Sequence, residues 1–149
     1  MQVKEVMTAN PACCTPETPL PEVARMMVDN DCGEIPVVEN KQSKIPVGVV
    51  TDRDIVCRTV AKDKSPLDLT AADGMSKPIV TVSPETPVEE CCRIMQEKQI
   101  RRVPVVDANG AICGIVALAD IALQSRSGVA GEVIKEVSEP GKSASASVR

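Results

Sequence analysis

The chain repeats itself. Thr15-Pro16-Glu17-Thr18-Pro19 returns as Ser83-Pro84-Glu85-Thr86-Pro87, an offset of 83 − 15 = 68 positions. Held at that offset, residues 7–38 align with 75–106, and 11 of the 32 pairs are identical: Met7, Pro16, Glu17, Thr18, Pro19, Glu22, Arg25, Met27, Pro36, Val37 and Val38 with their partners. Ordinary residue usage would give roughly two by chance. After a loop two residues shorter in the second copy, Gly48-Val49-Val50 meets Gly114-Ile115-Val116 at an offset of 66. A duplication of this kind divides 149 residues into repeats at 3–62 and 75–126, a linker at 63–74 and a tail at 127–149. Each repeat is too short to bury a robust core by itself, so the two are expected to bury apolar faces against each other.

Both copies carry the same order of elements. An extended piece (residues 12–14 and 79–82) precedes an amphipathic helix, with Thr18 and Thr86 as expected N-caps and Pro19 and Pro87 at the first helical position. Thr86 and Glu89 have the spacing of a capping box. Leu20, Val23, Ala24 and Met27 in one helix, and Val88, Cys91, Cys92 and Met95 in the other, follow the i, i+3, i+4, i+7 spacing of a buried stripe. Two apolar strands follow: residues 35–38 then 47–51, and 103–106 then 112–117. A proline in each first strand suggests an edge or a strand start. Asp107-Ala108-Asn109-Gly110 reads as a tight turn. A last helix begins near Asp52 and again near Leu118. The expected fold class is α+β: two β-α-β-β-α repeats related by pseudo-two-fold symmetry, each with a small sheet. The linker is expected to hold one helical turn. In the tail, residues 133–137 suit a strand or a short helix, and the Ser/Ala/Gly-rich residues 141–147 suit a mobile end.

What the chain lacks excludes more than what it has. Without His, Ser-His-Asp and Cys-His catalysis and any imidazole metal site are impossible. Without Phe, Trp or Tyr, no ring can stack on a nucleobase, and the net charge is −4 with no long basic run to track a nucleic-acid backbone. Nucleic acid is therefore not an expected partner, and an enzyme is not expected because no nucleophile, general base or metal constellation appears. No apolar run reaches the length of a membrane span, and Met1-Gln2-Val3-Lys4-Glu5 lacks the apolar core of a signal peptide. A soluble, cytoplasmic chain is expected. The 7 cysteines are odd in number and form no Cys-x-x-Cys, so they read as reduced, small apolar residues, with a thiol or metal sensor as the alternative.

Two constellations could carry chemistry. In Gly48-Val49-Val50-Thr51-Asp52-Arg53-Asp54 a buried strand turns into a helix, and Thr51 and Asp54 are three apart at the helix start. A carboxylate accepting two hydrogen bonds suits the vicinal hydroxyls of a ribose, and a helix N-terminus favours a nearby anion. The alternative is that Thr51 and Asp54 only cap the helix. In Ile100-Arg101-Arg102-Val103-Pro104 two arginines stand before a buried strand, where copy one has Gly33 and Glu34. Paired guanidiniums suit phosphates; the alternative is two solvated side chains.

With these residues in view, the chain resembles a tandem pair of CBS domains, the cystathionine β-synthase-type repeat also called a Bateman module. The resemblance covers nearly all of residues 3–126 and rests on the duplication, the strand-to-helix Gly-x-x-Thr-x-x-Asp and the Pro-Val-Val strand before a turn. It implies a regulatory, non-enzymatic module that binds an adenosine-containing ligand (AMP, ADP, ATP, an NAD-type dinucleotide or S-adenosylmethionine) in clefts between the repeats. By that resemblance Asp54 would hold the ribose hydroxyls, Thr51 would assist, Asn10, Pro11, Ala12 and Pro36 would lie against the base, and Arg101 and Arg102 would hold phosphates. A second, weaker site would comprise Ile79, Val80, Pro104, Asp120 and Arg53. Ala117 stands there in place of the hydroxyl, and Glu34 would repel phosphate. No obligatory cofactor and no metal are implied. A homodimer is the expectation, with Met26, Met95 and Cys57 as possible surface residues, acting on an unknown effector protein. The alternative reading is a dimeric interaction module whose nucleotide sites are degenerate and unoccupied.

Overall fold

The computed structural model describes residues 1–77 and 79–125, apart from the side chain of Ser125. The expectations for residues 127–149 lie outside the described residues. The elements, in chain order, are β1 (Thr8–Ala9), α1 (Leu20–Asp29), β2 (Glu34–Val38), β3 (Pro46–Thr51), α2 (Asp52–Arg58), α3 (Ala71–Gly74), α4 (Val88–Lys98), β4 (Arg102–Val106), β5 (Ile112–Ala117) and α5 (Leu118–Ser125). The α+β class and the duplicated strand–helix order match the expectation. The linker holds a 3-10 turn at Pro66–Asp68 as well as the helical turn α3.

Packing divides the chain differently from the sequence repeat. One compact unit is Pro11–Ile79; the other joins Met1–Asn10 to the residues from Val80 on. We call them the Asp54 unit and the Asp120 unit. The chain therefore crosses between units twice, at 10/11 and at 79/80, and each unit takes its leading segment from the neighbouring repeat. The hydrogen bonds show that this exchange keeps the 68-residue offset. In the Asp54 unit Leu20 N–H donates to Leu69 O at 2.9 Å, Ala71 N–H to Thr18 O at 2.8 Å and Ala72 N–H to Pro16 O at 2.9 Å. In the Asp120 unit Val88 N–H donates to Met1 O at 3.0 Å, Val3 N–H to Thr86 O at 2.9 Å and Lys4 N–H to Pro84 O at 2.9 Å.

These bonds account for one correction. Thr18 and Thr86 do not cap the helices, and the Thr86–Glu89 capping box does not form. Each threonine closes the turn before its helix instead: Thr15 N–H donates to Thr18 Oγ1 and Ser83 N–H to Thr86 Oγ1, both at 3.0 Å. Pro19 and Pro87 take the N-cap place with extended ψ of 141°, so the helices start one residue later. The first free N–H of each helix goes to the exchanged segment, which leaves a side-chain cap unnecessary there.

The helical stripes are buried nearly as expected. Leu20, Val23 and Met27 are core residues of the Asp54 unit and Val88, Cys91 and Met95 of the Asp120 unit. Ala24 is exposed and Cys92 half-buried, so the buried stripe is narrower than the spacing suggested. Met95 is 3% exposed and contributes to the core rather than to a surface, while Cys57 is exposed.

Each unit has an antiparallel hairpin at its centre. β2 pairs with β3 (Ile35↔Val50, Val37↔Gly48) and β4 with β5 (Val103↔Val116, Val105↔Gly114), each with a register shift at its last pair. The extended pieces add a parallel bridge on one side, Cys14↔Val37 and Val82↔Val105. These bridges fall where Pro36 and Pro104 lack an N–H but still offer a carbonyl, which accepts from Cys14 N–H at 3.0 Å and Val82 N–H at 3.1 Å. The exchanged segments close the other side: β1 pairs Thr8↔Ile115, and Ser76 bridges Val49. The Asp107–Gly110 turn forms as read, with Gly110 at φ +81°.

Glycine permits this last contact. A Cβ at Gly114 would lie 2.5 Å from Met7 Sδ and 3.1 Å from Thr8 O; one at Gly48 would lie 3.0 Å from both Met75 Sδ and Ser76 O. Gly114→Ala is therefore expected to push the exchanged strand outward and cost about 1–3 kcal/mol, as overpacking does. Urea denaturation measures it; a loss below a few tenths of a kcal/mol contradicts the close approach.

Candidate functional site

The Asp54 unit brings Thr51 and Asp54 together where β3 becomes α2. Thr51 is the extended N-cap of α2 at φ −105° and ψ 161°. Its Oγ1 accepts from Asp54 N–H at 3.0 Å, and Asp54 Oδ2 accepts from Thr51 N–H at 3.0 Å. The pair is thus a reciprocal capping box, and the capping role of these two side chains is real. It does not exhaust Asp54. A carboxylate has about four acceptor positions, and this side chain is 17% exposed at the helix start.

Two residues not singled out by the sequence also meet Asp54. Ser76 Oγ donates to Asp54 Oδ1 at 3.1 Å, and Arg58 Nη2 donates to Ser76 Oγ at 3.1 Å. Arg58 Nε lies 3.6 Å from the same Oδ1. Arg58 was legible in principle, since i, i+4 pairs meet on a helix. Ser76 was not: it stands 22 positions from Asp54 and arrives only because its backbone pairs with Val49.

Among the residues expected against a base, Pro11 and Ala12 are half-buried in the Asp54 unit. Pro36 is under 2% exposed and faces Val49 in the ladder, so its ring is packed away. Asn10 belongs to the Asp120 unit; it adopts the left-handed φ of +50° that Asn tolerates, and its N–H donates to Cys113 O at 3.1 Å.

The corresponding turn of the Asp120 unit differs chemically. Arg102 stands opposite Ala117 in the β4–β5 ladder, the register place that Glu34 holds opposite Thr51. Burial pushes the Asp120 carboxyl above the usual carboxylate range, while the Ala117 N–H and the Arg102 charge pull it down. Arg101 is exposed, and its carbonyl accepts from Leu118 N–H at 2.8 Å. Pro104 is buried, Val80 and Ile79 are half-buried, and Arg53 is an exposed residue of α2. Ile79 and Arg53 fall in the Asp54 unit and Val80 in the other.

The raised Asp120 has a consequence for stability. Between the ordinary carboxylate value and its folded value, the folded chain binds a proton that the unfolded chain does not. Its contribution therefore favours folding as pH falls through the folded value and levels off below the unfolded one. Asp120→Asn, which retains an acceptor for Ala117 N–H, is expected to be more stable than the wild type near pH 7. That advantage shrinks towards pH 4, measured by urea titration at both pH values. An unchanged or reduced stability at pH 7 contradicts a cost of burying the charged Asp120 carboxylate.

Burial holds five of the thiols in the protonated form. Burial, with the neighbouring Cys13 next, pushes Cys14 up to about 12; burial, with Cys92 next, pushes Cys91 up to about 11. Burial likewise raises Cys13, Cys92 and Cys113. Reactive cysteines are shifted the other way, so these five fit packing rather than redox chemistry. Among the described residues no group of three or more His, Cys, Asp or Glu is placed to hold a metal ion. No helix among them is long and apolar enough to cross a membrane.

Comparison with known proteins places the chain. The CBS domain family matches twice, over residues 3–58 and 68–125. The CBS domain-containing protein YhcV of Bacillus subtilis is 36% identical over 137 residues, 91% of this chain and 94% of that protein. The uncharacterized protein MK0525 of Methanopyrus kandleri is 37% identical over 118 residues; the match covers 79% of this chain but only 57% of that relative. Among solved structures, hypoxic response protein I with two coordinated zinc ions superposes with a TM-score of 0.76 at 30% identity, covering 85% of this chain and 100% of that one. CBSX2 in complex with AMP superposes with a TM-score of 0.68 at 25% identity, covering 80% and 92%. Two matches to one family, falling on the two copies of an internally duplicated α+β chain, leave a single conclusion: the protein belongs to the CBS-domain family and is a tandem CBS pair.

Proposed function

We propose that this chain is a regulatory module that binds an adenosine-containing ligand and acts by a ligand-linked shift between conformations. The observation that carries the reading is Asp54, partly exposed beside Thr51 at a strand-to-helix turn, in a fold whose CBSX2 relative was solved in complex with AMP. In this reading Asp54 and Thr51 take the ribose, Pro11 and Ala12 lie against the base with Asn10, and Arg101 and Arg102 meet the phosphates. The ligand is AMP, ADP, ATP or an NAD-type dinucleotide. Asp120 serves a weaker second site, because Ala117 offers no hydroxyl. A ligand shifts a population only by its differential affinity for two states, and an effector protein reads that shift. It performs no catalysis, functions as a homodimer and resides in the cytoplasm.

One observation favours a second reading. Thr51 and Asp54 satisfy each other as a capping box, so their presence alone does not require a ligand. That reading is an interaction module with unoccupied sites. The chain has no Trp, Tyr or Phe, which makes the decision simple. Protein background at the adenine absorption band is minimal, so an adenine chromophore released by acid precipitation is read directly and identified by mass spectrometry. Calorimetric titration with AMP, ATP and NAD then ranks the ligands. No released adenine and no heat with any of the three overturns the nucleotide reading in favour of the second.

A further inference from the structure

We propose that Ser76 sets the affinity of the Asp54 site by competing, inside the protein, for the carboxylate oxygen that a sugar diol requires, with Arg58 holding it in that role. The inference rests on the nucleotide reading above and concerns the regulation of the same site. Oδ2 of Asp54 carries the Thr51 N–H, and Oδ1 carries the Ser76 hydroxyl at 3.1 Å with Arg58 Nε 3.6 Å away. A vicinal diol bound bidentately needs one acceptor direction on each oxygen. Oδ2 retains one. Oδ1 accepts from the Ser76 hydroxyl and has the Arg58 guanidinium 3.6 Å away, so a diol that engages it competes with the hydroxyl of Ser76.

The geometry shows why Ser76 is the group that yields. Its backbone is fixed, with N–H donating to Val49 O at 2.8 Å and O accepting from Val49 N–H at 3.2 Å. Only its hydroxyl is free to turn away. Arg58 Nη2 donates to that hydroxyl at 3.1 Å, which directs the single Ser76 proton towards Asp54. Arg58 is thus a positioning residue, acting on Asp54 through Ser76 as well as by charge. Among the described residues the Asp120 unit lacks this device. Thr8 and Gln124 stand at the places of Ser76 and Arg58, and Asp120 receives a hydrogen bond from the Ala117 N–H. The two carboxylates therefore differ in what a ligand must displace. Ser76 also sits on the exchanged segment that follows the linker, so its release ties occupancy of Asp54 to the side-chain anchoring of that segment.

The test is calorimetric titration of the wild type, Ser76→Ala and Arg58→Gln. AMP and adenosine are the probes; adenosine carries no phosphate for Arg58 to attract. Ser76→Ala is expected to tighten both ligands by about three- to tenfold, the scale of one hydrogen bond to a charged acceptor offset by the bond that replaces it. Arg58→Gln is expected to tighten adenosine in the same direction by a smaller factor. If the wild type binds AMP and Ser76→Ala binds it within twofold or more weakly, Ser76 does not compete and the inference fails alone. If the wild type binds neither probe, the nucleotide reading fails and takes the inference with it.

Discussion

Val3→Asp is expected to unfold the Asp120 unit, although Val3 lies in the first sequence repeat. Val3 is 0% exposed in the core with Val88, Cys91 and Val116. The same segment donates from Val3 and Lys4 to Thr86 O and Pro84 O. A carboxylate there has neither water nor a partner, and an uncompensated buried charge costs about 3–5 kcal/mol, a large part of a small domain's stability. The mirror experiment is Ala71→Asp. Ala71 is 0% exposed at the position 68 residues on, in the core of the Asp54 unit with Leu20 and Val23. Peptide-resolved amide exchange reads both. Val3→Asp is expected to raise exchange chiefly in residues 80–125 and Ala71→Asp chiefly in residues 11–79. The opposite assignment would mean that each sequence repeat folds on its own leading segment, and it would sink the exchange seen in the hydrogen bonds.

That exchange marks the boundary of what the sequence makes legible. Period and composition place α1, α4 and the two hairpins, because their burial is local: Leu20, Val23 and Met27 share one helical face wherever the helix docks. The 68-residue offset reveals the duplication itself. It says nothing of which copy a leading segment joins, since residues 1–9 and 69–77 carry equivalent patterns and fit either partner. The helix starts fail for the same reason. Thr18 and Thr86 are excellent caps by residue type, yet the N–H groups they would take are bonded to Leu69 O and Met1 O from distant parts of the chain. At the candidate site, Thr51 and Asp54 are legible because three residues of helix bring them together. Ser76 is not, because a 22-residue separation closes only through the Val49 bridge. The offset held a clue: Ser76 is the counterpart of Thr8, so pairing of either one implies the other.

Asp54→Ala is expected to weaken AMP binding at least about tenfold, since even one charge-assisted hydrogen bond contributes about 1.5 kcal/mol. The substitution does more than remove a ligand group, because Asp54 Oδ2 also accepts from Thr51 N–H. A modest stability loss of about 0.5–1 kcal/mol should accompany it, the scale of one capping bond. Asp54→Asn, which keeps a neutral acceptor for the cap, separates the two effects: its stability should approach the wild type while its affinity stays low. Comparison with Arg102→Ala then identifies which part of the ligand each residue meets. A carboxylate on the ribose affects adenosine and AMP by the same factor. A guanidinium on the phosphate affects AMP and leaves adenosine unchanged, whatever the salt, although added salt narrows the AMP difference by screening. Titrations of both variants with both ligands therefore yield four ratios with a fixed pattern. Equal loss of adenosine and AMP in Arg102→Ala removes that residue from the phosphate role. Wild-type affinity for AMP in Asp54→Asn and Asp54→Ala leaves the capping box as the whole function of Asp54, and the ligand must then be sought at another turn of the fold.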